Sequence, residues 1–136
     1  MRSINEIIVH CAATPEGRDF TVADIDRWHK ARGWKGIGYH YVVYRDGSVH
    51  AGRPVAQVGA HALNHNRHSI GVCYIGGVAK DGRTPKDTRT DAQKEALLHL
   101  LRELKGRFPK ARIIGHRDVA AKACPSFDAT REYRGI

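Results

Sequence analysis

Apolar positions along this chain change their period several times, and each change marks an element. Ile7, Ile8 and Val9 form a short unbroken apolar run, so Glu6 to His10 reads as a buried strand. Residues 11 to 17 contain Pro15 and Gly17 and read as a loop. Thr21 with Asp24 three positions on has the form of a capping box. Val22, Ile25 and Trp28 then recur at helical spacing, and Gly33 marks the end of that helix. Alternation returns over Tyr39 to Tyr44, Asp46-Gly47 is a hairpin turn signal, and Ser48 to Ala51 supplies the returning strand. Val55 to Asn66 has no period and reads as a loop carrying polar side chains. Ser69 to Ile75 is a second buried run, stopped by Gly76-Gly77. Lys80 to Arg89 is a polar surface loop. Thr90 and Gln93 form a second capping box, followed by Ala96, Leu97, Leu100, Leu101 and Leu104 on one face of a helix that is expected to stop at Gly106. Arg112 to Gly115 is a last short strand, and the rest reads as loop with a short terminal segment.

The order β-α-β-β-β-α-β predicts an α/β fold with a single mixed sheet flanked by helices. With 136 residues and no linker, repeat or low-complexity tract, residues 1–136 are expected to form one domain. A hydrophobic share of 41% and a charged share of 27% exclude a disordered tail, a collagen-like chain and a coiled coil. No apolar run approaches the ~20 residues of a membrane span. The first residues lack the apolar core of a secretory signal, so synthesis in the cytoplasm is expected. Three cysteines without C-x-x-C spacing argue against a disulfide framework and for free thiols or a metal thiolate. Lys and Arg total 23 against 14 Asp and Glu, a net charge of +9. That balance favours a polyanionic partner: nucleic acid, an anionic membrane or an anionic wall polymer.

Nine histidines are enrichment, and two of them hold informative positions. His10 ends one buried strand and His116 immediately follows another, where side chains are anchored by the core yet can face a cleft. Cys124 follows His116 by eight residues. Two imidazoles and a thiolate suit Zn²⁺ and leave a fourth position for water. The competing reading makes Cys124 a small buried apolar residue, the usual place of a free cysteine. Cys11 competes poorly as a ligand, because neighbours on a strand point to opposite faces. His61, His65 and His68 share one loop, as solvated side chains or as substrate contacts. Gly36-Ile37-Gly38 lacks the third glycine of a dinucleotide loop, and no G-x-S-x-G or H-E-x-x-H is present.

Several motifs in a fixed order resemble one family over nearly the whole chain. They are Ile7-Ile8-Val9-His10-Cys11-Ala12-Ala13-Thr14, Gly38-Tyr39-His40-Tyr41, Arg45-Asp46-Gly47, the stretch around Ser69-Ile70-Gly71-Val72, Gly115-His116-Arg117-Asp118 and Lys122-Ala123-Cys124-Pro125-Ser126-Phe127-Asp128. The chain resembles the zinc-dependent N-acetylmuramoyl-L-alanine amidases of the type 2 amidase and peptidoglycan-recognition-protein superfamily, small phage endolysins in particular. The resemblance implies the fold of that superfamily and cleavage of the amide between N-acetylmuramic acid and L-alanine in peptidoglycan. It places His10, His116 and Cys124 on the Zn²⁺ ligands, Tyr39 on the site tyrosine, Lys122 on the basic residue two before the third ligand, and His61 in the loop that lines the substrate groove.

Those residue types fit amide hydrolysis. Zinc activates water and polarises a carbonyl, and the phenol of Tyr39 or the ammonium of Lys122 can serve a developing oxyanion. Asp118 or Asp128 is a candidate to orient a ligating imidazole. A phage or prophage endolysin, acting on the wall after release and as a monomer, is the expected role. The alternatives are a cytosolic amidase recycling anhydromuropeptides and a binding-only peptidoglycan module; the latter commonly lacks the cysteine that is present here. No nucleic-acid partner is expected, since no RNA- or DNA-binding signature is present. Polymerase inhibition is not expected either, because the phage relative's additional N-terminal stretch has no counterpart in the nine residues before His10.

The charge of +9 makes a prediction of its own. Binding to purified sacculi should weaken as salt rises, because screening shortens to ~10 Å at 0.1 M ionic strength. A pull-down across a salt series checks this, and affinity that does not change with salt would remove the electrostatic contribution.

Overall fold

The computed structural model describes residues 2–136. Its centre is strand β1 (Glu6–Cys11), every residue of which is buried. β1 lies between two parallel neighbours, β5 (Ser69–Tyr74) and β7 (Arg112–Gly115), in a five-stranded sheet of order β4-β3-β5-β1-β7. β3 (Tyr41–Val43) runs parallel to β5, and β4 (Val49–Ala51) closes the edge as the antiparallel arm of a hairpin. The sheet is therefore mixed, as expected. Parallel strands covered on both faces must be apolar on both faces, which is why Ile7-Ile8-Val9 and the β5 run show no alternation.

The two faces are nonetheless distinct. Ile7, Val9 and Cys11 pack with Ile70, Val72 and Tyr74 against Leu97, Leu100, Leu101 and Leu104 of helix α2 (Asp91–Arg107). Ile8 points the other way, into a small cluster with Ala62 and Ile114. Val42 and Ile75 meet Ile25 of helix α1 (Val22–Ala31) on that second side. Both capping boxes form. Thr21 pairs with Asp24, and Thr90 with Gln93. Gln93 also reaches beyond its own helix. Its side-chain amide donates to the carbonyls of Val43 and Ile75, tying the start of α2 to the sheet.

Element boundaries depart from the expected ones where periodicity is silent. The Tyr39–Tyr44 strand shrinks to Tyr41–Val43, so Tyr39 and His40 stand on the approach to the sheet. Helix α2 passes through Gly106 to Arg107, because packing of its leucines outweighs the roughly 1 kcal/mol that one glycine costs a helix. β2 (Thr14–Pro15) and β6 (Gly77–Val78) form a separate two-stranded parallel pair inside segments expected to be loop. Two residues are too few to show a period. The terminal segment contains a short helix, α3 (Ala129–Glu132).

One ion network fastens this terminal segment to the body. The Arg89 side chain is 3% exposed and bonds both carboxylate oxygens of Asp87 and of Glu132 as well as the hydroxyl of Tyr133. Its guanidinium lies 3.4 Å from the centre of the Phe127 ring. Hydrogen bonds from Arg89 hold Glu132 below the usual carboxylate range, and they outweigh burial to hold Asp87 low as well. Arg89→Met should destabilise the fold by about 2–3 kcal/mol at neutral pH, less than a fully buried pair because both carboxylates are partly in water. Carboxylates held low in the folded state stabilise it above their unfolded pKa of about 4, and that contribution is lost as pH falls through the folded values. Denaturant titrations from pH 7 down to about pH 2.5 should therefore show a shallower acid limb in Arg89→Met than in the wild type.

Candidate metal centre and active site

Parallel strands bring their C-terminal ends to one edge, where α/β proteins gather their chemistry. His10 is the penultimate residue of β1, and His116 is the first residue after β7, at the start of a single 3-10 turn. Because β1 and β7 pair in register, the two imidazoles meet, with ring centres 4.5 Å apart. Cys124 reaches the same point from the loop after β7. Its sulfur lies 3.8 Å from Nδ1 of His10 and accepts the amide N–H of Cys11 at 3.2 Å.

One ligating atom from each of His10, His116 and Cys124 lies within 4.8 Å of the others, and these three are the metal-capable cluster among the described residues. Both histidines are buried and the cysteine is half-buried. Burial is the first reason that the His10 and His116 pKa values fall below the ordinary imidazole value, and the nearby Lys122 ammonium lowers both further. Neutral imidazoles beside a thiol are a donor set that fits a metal ion with N and S ligands. Cys11 is not one of the three clustered residues, although its amide and its thiol both hydrogen-bond the Cys124 sulfur. Its side chain lies in the core on the α2 side, as alternation along β1 requires.

Tyr39 and Lys122 both stand close to the cluster. The Tyr39 ring is centred 5.1 Å from that of His10 and 5.4 Å from that of His29. Burial, with the sulfurs of Cys73 and Cys124 nearby, holds its phenol well above the ordinary range, so it remains a proton donor at neutral pH. Lys122 is exposed. It lines a groove of about 610 Å³ together with Trp34, His61, Leu63, Asn64 and His116. Leu63 is 83% exposed at the groove wall, which gives the wall an apolar character.

Histidines that share a loop in the sequence part company in space. His65 pairs with the carboxylate of Glu6, and His68 bonds the carbonyl of Ser3. His61 turns inward. Nδ1 of His61 lies 2.8 Å from Nε2 of His10, and its Nε2 lies 3.1 Å from the hydroxyl of Ser69. Both ring nitrogens are engaged inside the protein, and the residue also lines the groove, where the resemblance puts it. Asp118 and Asp128 do not orient an imidazole. Asp118 accepts from the Gly115 amide and the Thr130 hydroxyl, while Asp128 caps α3 and pairs with Arg117.

Two further residues, neither singled out as a site residue from the sequence, shape the site. Asn66 clamps the groove loop by accepting the amides of both His61 and Ala62. His40 receives the amide of Gly71 and bonds the carbonyl of Gln57. Both stand in or beside motifs that carry the resemblance, but the motifs do not say what these side chains bond. The Asn66 bonds depend on how an aperiodic loop closes on itself, and those of His40 join segments distant along the chain.

Comparison with known proteins agrees with this geometry. A family model described as N-acetylmuramoyl-L-alanine amidase matches residues 1–127. An endolysin of Enterobacteria phage K11 is 46% identical over 127 residues, covering 93% of this chain and 83% of the relative. An endolysin of Escherichia phage T7 is 43% identical over 129 residues, covering 95% and 85%. The solved structure of N-acetylmuramoyl-L-alanine amidase LysC from Clostridium intestinale superposes with a TM-score of 0.82 at 30% identity, over 96% of this chain and 82% of that one. The chain belongs to the N-acetylmuramoyl-L-alanine amidase family. Its reaction is therefore hydrolysis of the amide that links N-acetylmuramic acid to the L-alanine of the stem peptide.

The donor set makes a direct prediction. Metal analysis of the purified protein should find about one divalent ion per chain, and Cys124→Ser should lose most of it, since a hydroxyl is a poor substitute for a soft thiolate. A full metal content in a folded Cys124→Ser protein would remove the sulfur from the ligand set.

Proposed function

We propose that the metal is zinc, held by His10, His116 and Cys124, and that the enzyme works as an endolysin on bacterial peptidoglycan. The carrying observation is the two-imidazole, one-thiol cluster at the head of the groove, flanked by a phenol and an ammonium. Zinc bound there supplies Lewis acidity, polarising an amide carbonyl and acidifying water toward neutral pH.

The protein's own side chains do the remaining work. Burial keeps both histidines unprotonated and ready to ligate. Tyr39, protonated and packed against His10, donates its O–H to the oxygen that gains charge as the carbonyl carbon becomes tetrahedral. Lys122, exposed on the groove wall beside His116, adds positive charge that favours the same developing oxyanion. The apolar edge from Leu63 and Trp34 gives the faces of sugar rings a surface to rest on. Support for the endolysin role comes from the phage K11 and T7 endolysins, with which this chain shares most of its length. In this reading the protein acts as a monomer, on the wall, after release from the cell in which it is made.

Tyr39→Phe separates chemistry from metal binding. The ring stays, so packing and metal content should survive. Turnover should fall about 10²–10³-fold, the usual effect of removing one oxyanion donor. Mass analysis of stem peptides released from sacculi, beside a soluble anhydromuropeptide, measures the rate and the substrate together. Wild-type turnover in fully loaded Tyr39→Phe would make Tyr39 a packing residue. Faster cleavage of the soluble compound than of sacculi would favour the recycling role.

A further inference from the structure

We propose that His61 is a positioning residue for the metal centre: it accepts the Nε2–H of His10 and so fixes His10 in the tautomer whose Nδ1 lone pair faces Cys124. This rests on reading His10 as a metal ligand and adds the partner that orients it.

The two ring nitrogens are 2.8 Å apart, close enough that one must carry the shared proton and the other must accept it. His10 turns Nδ1 toward the sulfur of Cys124, 3.8 Å away. A ligating Nδ1 carries no proton, so in neutral His10 the proton sits on Nε2. His61 is then the acceptor through Nδ1. Its own proton lies on Nε2 and is donated to the hydroxyl of Ser69, 3.1 Å away and fully buried. Only this direction along Ser69–His61–His10 leaves His10 able to ligate. In the reverse direction the proton of His10 would occupy Nδ1, the atom that faces the sulfur. Metal-ligating histidines almost always donate their second N–H to an oxygen acceptor. Here the acceptor is an imidazole.

The surroundings of His61 hold its ring in that place. Glycines stand on two sides of it: a Cβ on Gly71 or on Gly59 would lie 2.7 Å from ring atoms of His61. Asn66 fixes the backbone from which the ring hangs, accepting the amide N–H of His61 at 2.9 Å. The residue is 8% exposed, so water is a poor substitute for its acceptor. Without His61, the Nε2–H of His10 would be buried unpaired, or His10 would move its proton to Nδ1 and cease to ligate.

The test is the zinc dissociation constant, read by competition with a chromophoric chelator on the full chain at neutral pH, with folding followed by circular dichroism. His61→Phe keeps a flat ring without nitrogens and should bind zinc about 10- to 100-fold more weakly, the range typical of lost outer partners. His61→Asn puts a carbonyl oxygen near the place of Nδ1 and should recover most of the affinity. Ser69→Ala should weaken binding less than His61→Phe. In zinc-loaded wild type, nitrogen NMR should find the His10 proton on Nε2. Wild-type zinc affinity in folded His61→Phe, or a proton absent from His10 Nε2, overturns the proposal. If His61→Phe does not fold, Ser69→Ala decides, and unchanged affinity there overturns it. A raised KM with unchanged zinc affinity would make His61 a substrate contact and likewise overturn it. Failure of the wild type itself to bind zinc would overturn the metal reading as well.

Discussion

Parallel pairing of β1 with β5 on one side and β7 on the other is the constraint on which the rest depends. It brings the C-terminal ends of three strands to one edge and sets residues that are distant in the chain at equal height. His10 and His116 are separated by more than a hundred residues, yet the β1–β7 register leaves their rings in contact. That register is strongly specified. A slip of one residue would turn Ile7 and Val9 out of the leucine face of α2 and would aim His10 into it.

Alternation along β1 also divides the labour of two adjacent residues. Cys11 contributes a side chain to the core and an amide to the Cys124 sulfur, whereas His10 contributes a ring to the site. The third member of the cluster, Cys124, stands on a loop. Its stability comes from neighbours on either side: the Arg117 amide donates to the carbonyl of Cys124, and Tyr74 donates to the carbonyl of Pro125. Further along, Arg89 binds Phe127, Glu132 and Tyr133 into the body of the protein. The thiol is thus placed by a chain of contacts that begins in the polar loop before α2.

Behind the His10–His116–Cys124 cluster lies a second layer of buried polar groups. Buried polar groups persist only when they are paired. His40, His61, Ser69 and Asn66 satisfy one another or the backbone around the groove loop, among them the Asn66 bonds to two successive amides. The groove loop is aperiodic, but His61 and Asn66 turn inward and give it a defined shape. Leu63 and Asn64 are the exposed residues that this loop presents to the groove.

Local rules in the sequence determined the strands around Ile7 and Ser69, both capping boxes, the leucine face of α2 and the Asp46-Gly47 turn, because period and capping act within a few residues. The order of motifs determined the family, and with it His10, His116, Cys124, Tyr39 and Lys122 as candidate site residues. Tertiary structure alone decided which of nine histidines meet. His61, His65 and His68 look equivalent along the chain, yet one bonds the buried ring of His10, one bonds a carboxylate and one bonds a backbone carbonyl. It also decided that Asp118 and Asp128 serve backbone and helix ends, and that Thr14 and Gly77 begin the strands of a second, two-stranded sheet. Most of these depend on contacts between segments far apart in the chain, and no periodicity within a segment records which distant segment will fold against it.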